Sequence, residues 1–396
     1  MSVENNNTPV CESDFYSIET IANPVSIYTE MLNLGPVVWL RENSIHAICG
    51  YDAVISVLRD HAHFSSGKGV SINEDVNKML VGSTLNSDPP QHDITRKITF
   101  APLSPKKLHH VRERIEQEAE SIVQTLLAQV EFDAASELAP YLPLSVVRDL
   151  VGLGDYGKDH MLDWGAATFE LMGDPKQRGL SAVGKLKSMR AFLEDANTLS
   201  NLGESGWARR ATQLGIESGM EPARAAELMR DYIAPSLDTT ISAIAYGIKL
   251  FAEHPEQWHK LRADRDLMKN AIEEIVRLNT PIRAFTRYVV EDIEIEGSLL
   301  NKDTRVLVVF GAANRDSARF PNPNQFNIER KTIGHVGFGA GVHACLGMNL
   351  ARLEMSCLFN ALADRVQRFE LAGSVVAGTN STIHSYASVP VRCVFE

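Results

Sequence analysis

The 396-residue chain is poor in cysteine, with five, and Cys11, Cys49, Cys345, Cys357 and Cys393 are scattered without a Cys-x-x-Cys pair. An odd, dispersed set gives no disulfide framework and fits reduced thiols in a cytoplasmic chain. A basic excess is also lacking. Thirty-nine Lys and Arg face 50 Asp and Glu, a net charge of −11, which argues against nucleic acid as a partner. No apolar run approaches a membrane span, and Met1–Asp14 lacks the charged-then-apolar pattern of a signal segment, so no membrane partner is expected. Repeats, low-complexity stretches and a convincing linker are missing too. The chain therefore reads as one domain over residues 21–396 after a flexible arm at 1–20.

What is present is mostly helical periodicity. Helices are expected near Pro24–Asn33, at Tyr51–Asp60, after Asp88-Pro89-Pro90, and at Ile115–Ala128, Leu144–Leu150, Asp159–Met172, Leu186–Leu199, Trp207–Glu217 and Pro222–Tyr246. Val37–Leu40 and Ile45–Cys49 read as a hairpin, Val289–Ile295 and Arg305–Gly311 as a small sheet, and strands close the chain around Val389–Phe395. The body is mainly α with small sheets.

The most informative stretch runs from His335 to Gly347. Gly339, Gly341 and Gly347 permit positive φ and close approach to a flat ligand, and Phe338 and Leu346 would shield a sulfur from water. Leu346, Leu350, Leu353 and Cys357 then continue as a helical stripe, placing Cys345 at a helix N-terminus, where free N–H groups favour a thiolate. The pattern Phe-x-x-Gly-x-His-x-Cys-x-Gly, filled by Phe338, Gly341, His343, Cys345 and Gly347, resembles the cytochrome P450 family of haem-thiolate monooxygenases. The resemblance runs from about residue 20 to the end. It implies a triangular-prism-like domain with haem b between a central oxygen-side helix and the cysteine-loop helix, ligated by the Cys345 thiolate.

His92 and Arg96 lie four apart on one helical face, a pair that suits an anionic group but, by spacing alone, reads rather as a solvated surface pair. The resemblance makes them partners of the haem propionates, with Arg287 and His343. Asp238-Thr239 reads two ways. It starts a new helix after Pro235, or it lies within a long helix kinked by that proline. In the family this acid–alcohol pair relays protons for dioxygen cleavage. The small residue and glycine usual before it are replaced here by Pro235-Ser236.

Glu274-x-x-Arg277, just before Thr280-Pro281, is similar to the family's structural ion pair, with Arg330 as third member. The basic run Lys106–Arg114 suits an acidic electron donor or a solvated face. The resemblance implies a ferredoxin and its NAD(P)H-dependent reductase as separate donors, and a monomer. Several stretches resemble the subgroup that oxidises para-substituted benzoates. By that likeness Lys68 and Ser71 receive a carboxylate, Phe169 and Met172 face the ring, and Ala234 lies above the haem. Lysine replaces the expected arginine, and Ala234 and Asp231 replace serines, so a phenol or another small aromatic is an alternative substrate. A haem-binding sensor and a peroxide-driven enzyme on the same scaffold are the competing functions.

Overall fold

The protein, described here from a computed structural model, is placed over residues 8–173, 177–195 and 198–395. Its main sheet has six strands: β1 (Val10–Cys11), β2 (Val37–Leu40), β3 (Ile45–Ile48), β4 (Phe64–Ser65), β5 (Phe285–Val289) and β6 (Arg305–Val308). They lie in the order β1-β2-β3-β6-β5-β4. The expected hairpin pairs Val37 with Ile48 and Leu40 with Ile45. Around the Arg41–Ser44 turn the chain reverses, and Ser44 takes φ +51°.

Residues 8–20 are not an arm. β1 pairs in parallel with β2, and Phe15 is buried against Arg283, whose guanidinium stacks 4.4 Å from the ring and donates to Phe15 O. Cys11, Phe15 and Tyr16 bury surface that a flexible segment would leave in water. The expected strand Val289–Ile295 is also interrupted. β5 ends at Val289, and Ile293–Ile295 pairs instead with Ser298–Leu300 across a tight turn at Glu296 (φ +48°) and Gly297 (φ +76°).

Five helices position the site: α1 (Gln91–Phe100), α2 (Gly154–Gly173), α3 (Asp238–Glu253), α4 (Met268–Asn279) and α5 (Met348–Arg365). In α4 the apolar residues Ala271, Ile272, Ile275, Val276 and Leu278 form the inward stripe. It stops at Thr280, which takes φ +44°, because Pro281 disfavours helical backbone in the residue before it. Phe251 of α3 meets Trp258, Phe326 and Phe359 at ring distances of 4.8, 5.5 and 5.7 Å, which locks α3 against α5.

The expected helix over Pro222–Tyr246 is broken into pieces. Pro222–Ala226, a 3₁₀ turn and Arg230–Ile233 precede a non-helical segment, Ala234–Leu237, before α3 opens at Asp238. Pro235 cannot donate an N–H and its ring obstructs the preceding turn, so here the helix stops rather than kinks. The expected Leu186–Leu199 helix runs Val183–Glu194 and is followed by Thr198–Asn201; Ala196 and Asn197, inside the expected span, lie outside the described residues. No helix among the described residues is long and apolar enough to cross a membrane.

Candidate functional site

The cysteine loop leaves Val336 and returns through a 3₁₀ turn at Gly341–His343 into α5. Gly339 and Gly341 both take φ +68°, and a β carbon at Gly341 would collide with the Leu58 carbonyl. Cys345 N–H donates to Phe338 O at 2.7 Å, closing the loop on itself. Burial raises the Cys345 thiol, opposed by the Gly347 N–H, the positive Arg96 and Arg352 and the Met348 N–H. Gly347 caps α5, so the sulfur faces the N–H groups of a helix start.

Beside the loop four cationic or donor side chains gather. The rings of His92 and His343 meet edge-on at 4.5 Å, and Nε2 of each is buried without a protein partner. Arg96 donates to Ala344 O at 2.6 Å, tying α1 to the loop, and Arg287 donates to Thr286 O at 2.8 Å. Burial pulls the Arg287 guanidinium down to about 10, with Asp88 opposing. His343 is pulled to about 2 by burial and by the field of Arg287, His92, Arg96 and His61, so its ring is neutral. Apart from Asp93, 3.0 Å from His92 Nδ1, no carboxylate among the described residues bonds to this group. Buried positive charge without a counter-ion is costly, and the set suits a ligand bearing carboxylates.

At the start of α3, Thr239 donates its hydroxyl to Pro235 O at 3.1 Å. Asp238 Oδ2 is shielded from solvent and has no protein partner. Burial pushes the Asp238 carboxyl up to about 7; its own N–H works against this and the Asp163 carboxylate adds to it. Phe169 and Met172 are buried on α2, and Ala234 lies half-buried in the broken turn.

A family profile described as "Cytochrome P450" matches residues 207–375. The chain is 32% identical to cytochrome P450 CYP199A2 of Rhodopseudomonas palustris over 96% of this chain and 93% of that one. It belongs to the cytochrome P450 family. It is also 29% identical to the cytochrome P450 monooxygenase PikC of Streptomyces venezuelae, over 97% of this chain and 94% of that one. In fold it is similar to CYP109E1 of Bacillus megaterium, solved with testosterone, at a TM-score of 0.82 and 24% identity over 95% of this chain and 99% of that one. The protein is thus an oxidoreductase of the P450 monooxygenase family, which implies a haem-thiolate cofactor.

In this P450 Glu274, Arg277 and Arg330 come together. Arg277 is fully buried and grips Glu274 with two bonds of 2.7 and 2.9 Å, and its NH1 donates to Asn314 O and Pro323 O. Arg330 adds a 2.9 Å bond to Glu274 Oε1 and donates to the carbonyls of Pro321, Asn322 and Gln325. The pair that sequence spacing leaves equivocal is a buried node that gathers the segment before the cysteine loop.

Lys68 and Ser71, by contrast, form no clamp. Lys68 is exposed, with Nζ 5.9 Å from the centre of the Tyr288 ring. Ser71 is fully buried, and its hydroxyl donates to Met172 O at 2.9 Å and accepts from Asn73 N–H. Its position in the loop is right for pinning that loop to α2, which uses up the hydroxyl. Asp231 accepts from Thr84 N–H at 3.1 and 3.2 Å, holding the loop before α1. In the basic run, Arg112 pairs with Glu116 and Arg114 with Asp149, while Lys106 and Lys107 are exposed.

Sequence reasoning passed over a second node. Glu273 accepts from His335 Nε2 at 2.8 Å and from Arg352 at 2.5 and 2.9 Å, and Arg352 lies 4.7 Å over the Phe338 ring. Burial works against the Glu273 charge, but His335 and Arg352 hold the carboxyl down to about 2. The acidic doublet Glu273-Glu274 was the available signal. Glu354 on α5 was also missed. It is fully buried, both oxygens lack protein partners, and burial pushes it up to about 8.

Proposed function

We propose that this P450 binds haem b with Cys345 as its thiolate ligand and inserts one atom of dioxygen into a small aromatic substrate, by hydroxylation or O-demethylation. The observation that carries the reading is the group of donors beside the cysteine loop, namely His92, Arg96, Arg287 and His343. Buried or half-buried, with unpaired Nε2 atoms on both histidines, they suit the two carboxylates of a porphyrin. When bound, the haem supplies the dioxygen-activating and C–H-oxidising chemistry.

The chain's own residues supply the rest. Phe338 and the stacked Arg352 cover the sulfur side, and the N–H groups of Gly347 and Met348 temper the thiolate. Asp238, its carboxyl pushed up to about 7 by burial, can take up and give up a proton near neutral pH, and Thr239 presents a hydroxyl one residue away as the next relay member. Glu274, Arg277 and Arg330 have a structural role. Electrons come from a ferredoxin and its reductase, and exposed Lys106 and Lys107 favour an acidic donor.

Phe169, Met172 and Ala234 favour an aromatic ring. The exposure of Lys68 and the engaged hydroxyl of Ser71 favour a phenol or neutral aromatic ether over a benzoate. An optical titration of the ferric holoprotein tests this. Phenols and ethers are expected to drive the low-spin to high-spin Soret shift, and a shift confined to benzoates would overturn the substrate class. Cys345→Ser should abolish the thiolate-type Soret band of the reduced carbon monoxide complex, and its persistence would overturn the ligand.

A further inference from the structure

The break at Pro235 leaves more than a proline. In an unbroken helix the carbonyls of Ile233 and Ala234 would accept from the N–H groups of Leu237 and Asp238. Here Asp238 begins a new helix, and no donor among the described residues bonds to either carbonyl. Both point at one spot on α2. A β carbon at Gly165 would lie 2.7 Å from Asp238 Oδ2, 3.0 Å from Ala234 O and 3.6 Å from Ile233 O. Three acceptors thus converge on a residue with no side chain, and Oδ2 is shielded from solvent.

Three oxygens with no protein donor of their own, gathered around one spot, are stabilised when one of them carries a proton. Among the three only the carboxyl can do so. We propose that Gly165 is a positioning residue that keeps open a proton-holding niche, in which Asp238 rests as the neutral acid and shares its proton with the freed Ala234 carbonyl. The charged groups around it agree. From α2 the acid Asp163 faces Asp238, itself paired with Lys185 at 2.6 Å, and no cation among the described residues bonds to Asp238. Burial in this setting pushes the carboxyl up to about 7, so the stored proton is available at neutral pH. Any side chain at position 165 would push the carboxylate out or wedge α2 away from the turn.

This inference rests on the proposed monooxygenase reading, and its test separates the two. Infrared difference spectra between wild type and Asp238→Asn, taken across neutral pH, should contain a protonated carboxyl band that disappears as pH rises. Gly165→Ala should displace that band and its midpoint, and Gly165→Ser, which brings a hydroxyl donor, should move the midpoint to lower pH. In turnover, Gly165→Ala should raise peroxide release per electron roughly 10–100-fold, with the substrate spin shift retained. Absence of a band assignable to Asp238, or an unchanged midpoint in Gly165→Ala, would overturn the niche. If the Gly165 variants do not fold, the Asp238→Asn spectrum alone decides. Loss of the thiolate-type carbon monoxide band in wild type would instead sink the haem reading and leave the infrared result standing.

Discussion

The two sides of the site are built on opposite electrostatic rules. On the cysteine side, the carboxylates of Glu273 and Glu274 each meet at least one guanidinium within 2.9 Å. At the start of α3, created by a proline, Asp238 has a shielded oxygen that no protein group satisfies. The contrast teaches where rigidity and where proton mobility are placed. A carboxylate held down by a histidine and an arginine, as Glu273 is by His335 and Arg352, does not exchange protons near neutral pH, which suits a scaffold. A carboxyl without a cation can, which suits a relay. Glu354 crosses the divide, since it lies on the cysteine-side helix yet has no partner.

Breaking the first rule should have the largest effect. Arg277→Ala leaves Glu274 buried with one arginine fewer and should cost about 3–5 kcal/mol of stability, read from chemical denaturation. A loss below about 1 kcal/mol would mean the node is not the anchor its geometry indicates.

The second rule is sharpened by pH, because paired and unpaired acids have opposite windows. Glu273 is depressed from about 4.5 to about 2, so its contribution is complete above pH 4.5 and is lost as pH falls toward 2. Glu354 is raised from about 4.5 to about 8, so the folded chain binds its proton more tightly. Its favourable term is complete below pH 4.5 and is lost as pH rises toward 8. Glu354→Gln should therefore gain stability over wild type progressively between pH 5 and 8. An equal offset at every pH would show that the carboxyl is ionised inside the fold.

The smallest effect is expected at Lys68. Exposed over Tyr288, it should tolerate Lys68→Ala within about 0.5 kcal/mol and with no change in the spin shift caused by phenols. A selective loss of benzoate binding would restore the carboxylate clamp that the folded loop does not form.

Much of the fold and the form of the cysteine loop was legible without coordinates. The cysteine loop is local: its glycines, its sulfur and the stripe of α5 fall within a couple of turns, so spacing alone limits what they can do. The hairpin at Val37–Ile48 and the helices flanking it follow from the same short-range periodicity. The break before Asp238 was legible only as an alternative, because proline's cost to a helix is certain while the outcome, a kink or a stop, depends on what packs against it.

What the chain order could not give were contacts between distant segments. His335 and Arg352 reach Glu273 across 62 and 79 positions, and Gly165 meets Asp238 from a separate helix. Ser71 spends its hydroxyl on Met172, 101 residues away. The sequence by itself determined the glycine turns of the cysteine loop, the helical body and the adjacency of Asp238 and Thr239, since these depend on short-range spacing and backbone preference. Tertiary structure alone decided which acids are paired and which keep a proton, because charge state follows from burial and neighbours in space, and neither is written in local order.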